Sequence, residues 1–172
     1  MDLKVKMLTM DDVKQLLTMK DAIELVESAF REKGLKRVQM PPKQYLYFKK
    51  HKGDLRIMPS YLAELDEVGV KLVNVHPDNP AKYNLPTVMA IILLFDPKTG
   101  APISIMDGTF ITSMRTGAAA GVATKYLARK NSRVVAMVGA GAQAKAQLLA
   151  MNDVLDINEV RVSDTIPEKA EK

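Results

Sequence analysis

Between Ala22 and Phe30 the apolar residues Ala22, Ile23, Val26, Ala29 and Phe30 recur every three or four positions, a spacing that predicts an amphipathic helix. Gly34 follows them where helices commonly end. Ahead of this helix, Thr9 with Asp12 three residues on can cap a shorter one. The period then changes. Tyr45 to Phe48 and Leu55 to Met58 flank His51-Lys52-Gly53-Asp54, which predicts a hairpin around a glycine-containing turn. Val68 to Val75 and Thr87 to Phe95 are rich in valine, isoleucine and leucine and read as buried strands, joined by a rigid connection carrying Pro77, Pro80 and Pro86. Asp96-Pro97-Lys98-Thr99-Gly100 is a turn signal, and Pro102 to Met106 returns as another strand. Thr116 to Ala128, rich in alanine, predicts a helix that packs closely on its neighbours. Its two glycines cost about 1 kcal/mol each relative to alanine, so they mark a close approach of backbone or ligand, or tight helix packing alone. Residues 1–131 therefore read as one α+β domain.

A different pattern begins near Asn131-Ser132. Arg133 to Val138 is a short apolar strand running into Gly139-Ala140-Gly141-Ala142-Gln143-Ala144, with a helical stretch from Lys145 to Met151 behind it. This is the G-x-G-x-x-A pattern in the context it needs. The first glycine permits the tight turn, the second lets backbone approach a pyrophosphate, and the third small residue lets helix pack on strand. The helix N-terminus offers N–H donors and positive potential to phosphates. Glu159 to Ser163 reads as a second strand ending at Asp164, 25 residues after Gly139, where an acid can accept from the ribose hydroxyls of an adenosine. A carboxylate there repels a 2′-phosphate, which favours NAD over NADP. Residues 132–172 thus read as the first βαβ portion of a Rossmann domain, too short for its usual sheet of about six strands. The chain alone is expected to be inactive and to expose apolar surface from Val134 to Val138.

Composition narrows the possible chemistry. The 172 residues are 47% hydrophobic and 26% charged, in the globular range. There is no cysteine, which excludes a disulfide framework, a thiolate nucleophile and cysteine-ligated zinc, and suits a cytoplasmic protein. The net charge of +5 comes from 25 basic residues spread among 20 acids, and aromatics are 5%, so no nucleic-acid platform is expected. The longest apolar run, Val88 to Phe95, falls short of the roughly 20 residues of a membrane helix, and the first residues lack a signal-peptide core. No metal site is expected either. His51 reads as turn surface and His76 as part of a rigid loop.

Four basic residues sit in apolar surroundings: Lys43 after Met40-Pro41-Pro42, Arg56 in Gly53-Asp-Leu-Arg-Ile-Met-Pro59, Lys71 in Val70-Lys-Leu-Val73, and Arg115 before the alanine-rich helix. Lys71 interrupts a strand that otherwise looks buried, and a buried lysine needs a partner; the alternative is a solvent-facing position on an alternating strand. Arg115 stands where the helix dipole does not favour a cation, which suggests a role other than stability.

Through Met40-Pro-Pro-Lys43, Gly53-Asp-Leu-Arg56, Gly69-Val-Lys71, Val73-Asn74, Leu85-Pro-Thr87-Val-Met-Ala90, Met106-Asp107, Arg115-Thr-Gly-Ala-Ala119 and the Gly139 to Gln143 turn, the sequence resembles the ornithine cyclodeaminase and mu-crystallin family. Its wording at LPTVMA, SMRTGAA and KYLARK is most similar to the archaeal alanine dehydrogenase branch. The resemblance implies a dimeric α/β enzyme in which an N-terminal α+β domain binds an amino acid and supplies the subunit interface, while a Rossmann domain binds NAD. It implies Lys43 and Lys71 as substrate ligands, with Arg56 a conjectural addition and Lys71 closest to the chemistry. Thr87 and Arg115 would line the junction of nicotinamide and substrate. Ala142, Gln143 and Asp164, with Gly139 and Gly141, would contact the dinucleotide. The acid–base aspartate of the family is expected beyond residue 172. Oxidative deamination of a small L-amino acid leads the implied activities; cyclodeamination of ornithine, ketimine reduction and non-catalytic dinucleotide binding are the alternatives.

Overall fold

A computed structural model describes residues 4–171. The chain forms two compact units, one made of the residues through Leu16 together with Arg31–Thr112, the other of Leu17–Phe30 together with Ser113 onward.

The first unit is a mixed sheet of β1 (Lys6–Leu8), β2 (Val38–Gln39), β3 (Gln44–Phe48), β4 (Gly53–Leu62), β5 (Glu67–Val75), β6 (Val88–Phe95) and β7 (Pro102–Asp107). The order is β1-β7-β6-β5-β4-β2, with β3 also pairing β4. Every pair is antiparallel except β1 with β7. The expected hairpin is present: β3 and β4 pair Tyr45 with Arg56 and Phe48 with Gly53, around a 3-10 turn at Lys49–His51. Strand β1 has only three residues and its partner lies about a hundred residues away, at Ser104 to Met106, so no local pattern reveals it. Helix α1 (Met10–Leu16) starts at the predicted cap, the Thr9 N–H donating to Asp12 at 2.8 Å and the Asp12 N–H to Thr9 Oγ1 at 3.2 Å. The connection expected to be a rigid loop contains a short helix, α3 (Asn79–Tyr83), pinned by Asn79 Nδ2 donating to the Pro86 carbonyl at 3.2 Å.

Register assigns each residue of this sheet to a face, because successive side chains alternate and paired residues share a side. One face carries Tyr45, Arg56, Lys71, Val73, Ala90 and Ser104, of which Val73, Ala90 and Ser104 are buried. The opposite face carries Leu46, Ile57, Leu72, Ile91, Ile103 and Met7. It is almost wholly apolar, yet Met7 is 76% exposed, Leu46 53% and Ile91 45%.

Helix α2 (Met19–Gly34) buries Met19, Ala22 and Ile23 through its Leu17–Phe30 part, in the second unit. Thr18 and Asp21 cap it as Thr9 and Asp12 cap α1. Gly34 is still helical, and the left-handed residue that turns the chain is Lys36, with φ 59°. The second unit also holds most of α4 (Thr109–Leu127), then β8 (Val134–Val138), α5 (Ala144–Val154), β9 (Glu159–Ser163) and α6 (Pro167–Ala170).

Helix α4 starts seven residues before its expected beginning. Asp107 caps it, accepting from the Thr109 and Phe110 N–H groups at 3.1 and 2.8 Å. Its first turns, Thr109-Phe-Ile-Thr-Ser, are weak helix formers, which is why local propensity missed them. A Cβ on Gly117 would lie 2.4 Å from the Ala146 carbonyl oxygen, and one on Gly121 would lie 3.0 Å from Ala150. The glycines of α4 are therefore explained by contact with α5, where Ala146 and Ala150 are buried, and not by a ligand.

Candidate functional site

In the second unit β8 and β9 pair in parallel, Val134 with Glu159 through Val138 with Ser163, and α5 connects them. The result is the predicted strand–turn–helix–strand. Gly139 adopts φ 100°, a left-handed conformation that L side chains rarely adopt, and its N–H donates to the Ser163 carbonyl at 2.7 Å. Gly141 is different. Its φ is not positive, and a Cβ there would meet nothing within 4 Å, so neither backbone strain nor internal packing demands glycine. What glycine preserves is open space in front of the turn, as close approach of a pyrophosphate requires.

Asp164 reaches this turn from the end of β9. Its Oδ2 accepts from the Ala140 N–H at 2.8 Å and its Oδ1 from the Ile166 N–H at 2.9 Å. Those backbone donors, Ala140 first, hold its carboxyl below the usual carboxylate pKa, so the acid is charged at neutral pH. A carboxylate offers about four lone-pair sites, and two backbone bonds leave it capacity to accept from ribose hydroxyls. Gln143, immediately before α5, has its Oε1 buried without a hydrogen-bond partner. A cavity of about 340 Å³ beside it is lined by Val138, Gly139, Gly141, Gln143, Gln147 and Met151. An open glycine turn, a fixed acid and an orphaned buried acceptor together fit a dinucleotide. Ala142 is exposed on the turn itself. Of the strand expected to be bare, Val134 and Val138 are exposed, the latter at 96%, whereas Val135 and Met137 are half-buried; Val160 and Val162 of β9 are exposed as well.

In the first unit the register brings two of the four singled-out cations together. Arg56 pairs with Val73, and Lys71 pairs with Met58, so the two lie diagonally on one face, roughly 7–8 Å apart at their backbones. Lys71 is half-buried and partnered. Arg56 donates from Nε and Nη2 to the two oxygens of Asp54, at 2.8 and 3.1 Å, and its guanidinium lies 5.5 Å from the centre of the Tyr45 ring. This bidentate grip raises the Arg56 pKa and fixes the fork in place. Sequence reasoning overlooked Asp54, although a signal existed: residues two apart on a strand share a face. Lys43 precedes β3 and is exposed. Thr87 is half-buried just before β6, its carbonyl accepting from the His76 N–H at 2.8 Å.

Arg115 requires a correction. It lies inside α4, well past the first turn, with an exposed side chain, so the argument from a cation at a helix start does not hold. Its surroundings nevertheless desolvate the guanidinium enough to lower its pKa, which the structure adds to a candidacy otherwise drawn from the resemblance.

Comparison with known proteins agrees with this geometry. The chain is 52% identical over 165 residues to the alanine dehydrogenase of Archaeoglobus fulgidus, covering 96% of this chain and 49% of that protein. Among solved structures, an archaeal alanine dehydrogenase dimer with bound NAD superposes with a TM-score of 0.92 at 50% identity, covering 97% of this chain and 51% of that one. The Thermococcus litoralis Δ1-pyrroline-2-carboxylate reductase, solved with NADH and L-proline, gives 0.91 at 47% identity, covering 96% and 51%. The chain spans about half the length of these relatives. The ornithine cyclodeaminase/mu-crystallin profile matches residues 3–172, nearly the whole chain, so the glycine turn and the cation-bearing sheet are those of a member of that family.

Proposed function

We propose that the complete protein is an NAD-dependent enzyme that oxidises a small L-amino acid at its α-carbon to the imino acid, which water hydrolyses to a keto acid and ammonia. The observation that carries this reading is the turn at Gly139 to Gln143: a glycine whose identity leaves space, an acid pinned by backbone, and a buried acceptor awaiting a donor. NAD, when bound, supplies the hydride acceptor. Gly139, Gly141, Ala142 and Gln143 hold its pyrophosphate region, and Asp164 takes the ribose hydroxyls and disfavours a 2′-phosphate. Thr87 and Arg115 are each candidates for contact with the nicotinamide or the substrate.

Lys43 and Lys71 hold the substrate carboxylate, with Lys71 nearest the reacting carbon. Fixed cations there orient the amino acid and stabilise charge in a water-poor site. Arg56 is a further candidate for contact with the substrate. The similarity to archaeal alanine dehydrogenases supports dehydrogenation of a small amino acid over cyclodeamination of ornithine. By sequence pattern we place the α+β domain at residues 1–131 and the start of the Rossmann domain at 132–172, a division that differs from the two compact units, in which Leu17–Phe30 and Ser113 onward group together. The bare apolar face of Leu46, Ile91, Ile103 and Met7 suits burial against a second copy in a homodimer. The absence of cysteine suits a cytoplasmic location.

The test is absorbance at the NADH band with NAD and L-alanine. A steady rise with alanine and none with L-ornithine is expected. Conversion of L-ornithine to L-proline and ammonia without net NADH would overturn the reading in favour of cyclodeamination, and no turnover of either amino acid would overturn it altogether.

A further inference from the structure

A second cavity, of about 400 Å³, lies in the first unit, where the β3–β4 turn meets the segment after β5. Its wall includes Lys50, His51, Lys52, His76, Asp78 and Lys82. Three lysines face a single carboxylate. That carboxylate is engaged by Lys82, whose Nζ lies 2.7 Å from Asp78 Oδ2. Lys52 senses Asp78 only through space, and neither Lys50 nor Lys52 forms an ion pair among the described residues. Crowding like charges into one concavity is unfavourable unless an anion joins them.

The wall is also preorganised. The His76 ring stacks on Phe48, centroids 5.9 Å apart, and lies so close to Gly53 that a Cβ there would fall 2.3–2.7 Å from its ring atoms. Gly53 is therefore glycine to let this ring in. The His76 N–H is held by the Thr87 carbonyl, and Asn79, 7% exposed, is clamped to Pro86. Lys52 takes a left-handed conformation, φ 49°, at the end of the 3-10 turn. The cationic side chains thus project from a rigid frame, which lowers the entropy lost on binding.

We propose that this cavity binds a phosphate group, free or carried by a small molecule, at a site separate from the dinucleotide turn. Lysine ammonium groups are strong point-charge partners for phosphate oxygens, the cavity lies within the size range of small-molecule sites, and His51 and His76 add ring N–H donors.

Isothermal titration of the purified protein with inorganic phosphate, pyrophosphate and ribose 5-phosphate tests this. Saturable binding of at least one probe below about 10 mM, weakening as salt rises from about 50 to about 200 mM, is expected. Preference for the first two marks a free ion as the source, and preference for the third marks a phosphorylated metabolite. The double variant Lys50→Met/Lys52→Met should weaken binding at least about tenfold, because it removes two charged donors. Lys98→Met, which removes a remote surface charge, should leave it unchanged, and in Gly141→Val, which closes the dinucleotide turn, the lysine-dependent binding of inorganic phosphate should persist. Should the double variant fail to fold, Lys50→Gln alone, at an exposed side chain, should weaken binding at least about threefold. Absence of saturable binding by every probe, binding unaffected by the lysine variants, or loss of the lysine-dependent binding of inorganic phosphate in Gly141→Val would overturn the proposal.

Discussion

The two candidate sites are built from different materials. At the dinucleotide turn, backbone does the work: Gly139 and Ala140 N–H groups, a left-handed glycine, and open space at Gly141, all within a stretch that ends at Asp164. On the sheet face, side chains do it: Arg56 and Lys71 come from two strands and meet only through the register of β4 with β5. A backbone site is specified by spacing along the chain. A side-chain site is specified by pairing. The first should be brittle to any added Cβ, and the second graded in its response to charge.

The largest expected effect lies at the turn. Gly141→Val should cost at least about a hundredfold in NAD affinity, about 2.7 kcal/mol, by titration calorimetry on the complete protein. Because a Cβ there meets no protein atom within 4 Å, the thermal unfolding midpoint should stay close to that of the parent. Unchanged NAD affinity would sink the assignment.

Gly117→Ala sharpens the contrast, since that glycine also admits a close neighbour, but one within the protein. The substitution gains about 1 kcal/mol in helix propensity and drives a methyl group into the Ala146 carbonyl. Overpacking of this kind costs about 1–3 kcal/mol, so the urea midpoint should fall. A rise in stability would mean that α4 and α5 separate readily.

On the sheet face, Lys71→Met should lower kcat/KM for the amino acid at least about tenfold, about 1.4 kcal/mol, while NAD affinity is kept. Kinetics like those of the parent would return Lys71 to a purely structural role.

The smallest effect concerns Asp164. Backbone donors lower its folded pKa, so its contribution to stability is present above the unfolded value of 3.8 and is lost as pH falls through the lower folded value. Amide exchange at Ala140 should accelerate, relative to the intrinsic rate, only below about pH 4. Asp164→Ser should abolish that pH dependence and shift preference from NAD towards NADP. Exchange at Ala140 that is as slow in the serine variant as in the parent would contradict the hydrogen bond.

Much was legible beforehand because it is local. The Thr9 cap, the β3–β4 hairpin, the apolar strands and the glycine turn each depend on residues a few positions apart, so short-range physics suffices. By itself the sequence determined that a dinucleotide turn exists, that its cofactor is more compatible with NAD than with a 2′-phosphate, and that lysine and arginine interrupt apolar strands. It could not place β1, which exists only by pairing with β7, or the true start of α4, where a cap at Asp107 outweighs poor propensity. Nor could it decide why Gly117 and Gly121 are glycines, since helix packing and ligand approach leave the same trace in one dimension. Tertiary structure decided the place of β1 and the reason for Gly117 and Gly121, because the pairing with β7 and the contact of α4 with α5 depend on distances between segments far apart in the chain, and spacing along a chain does not encode such distances.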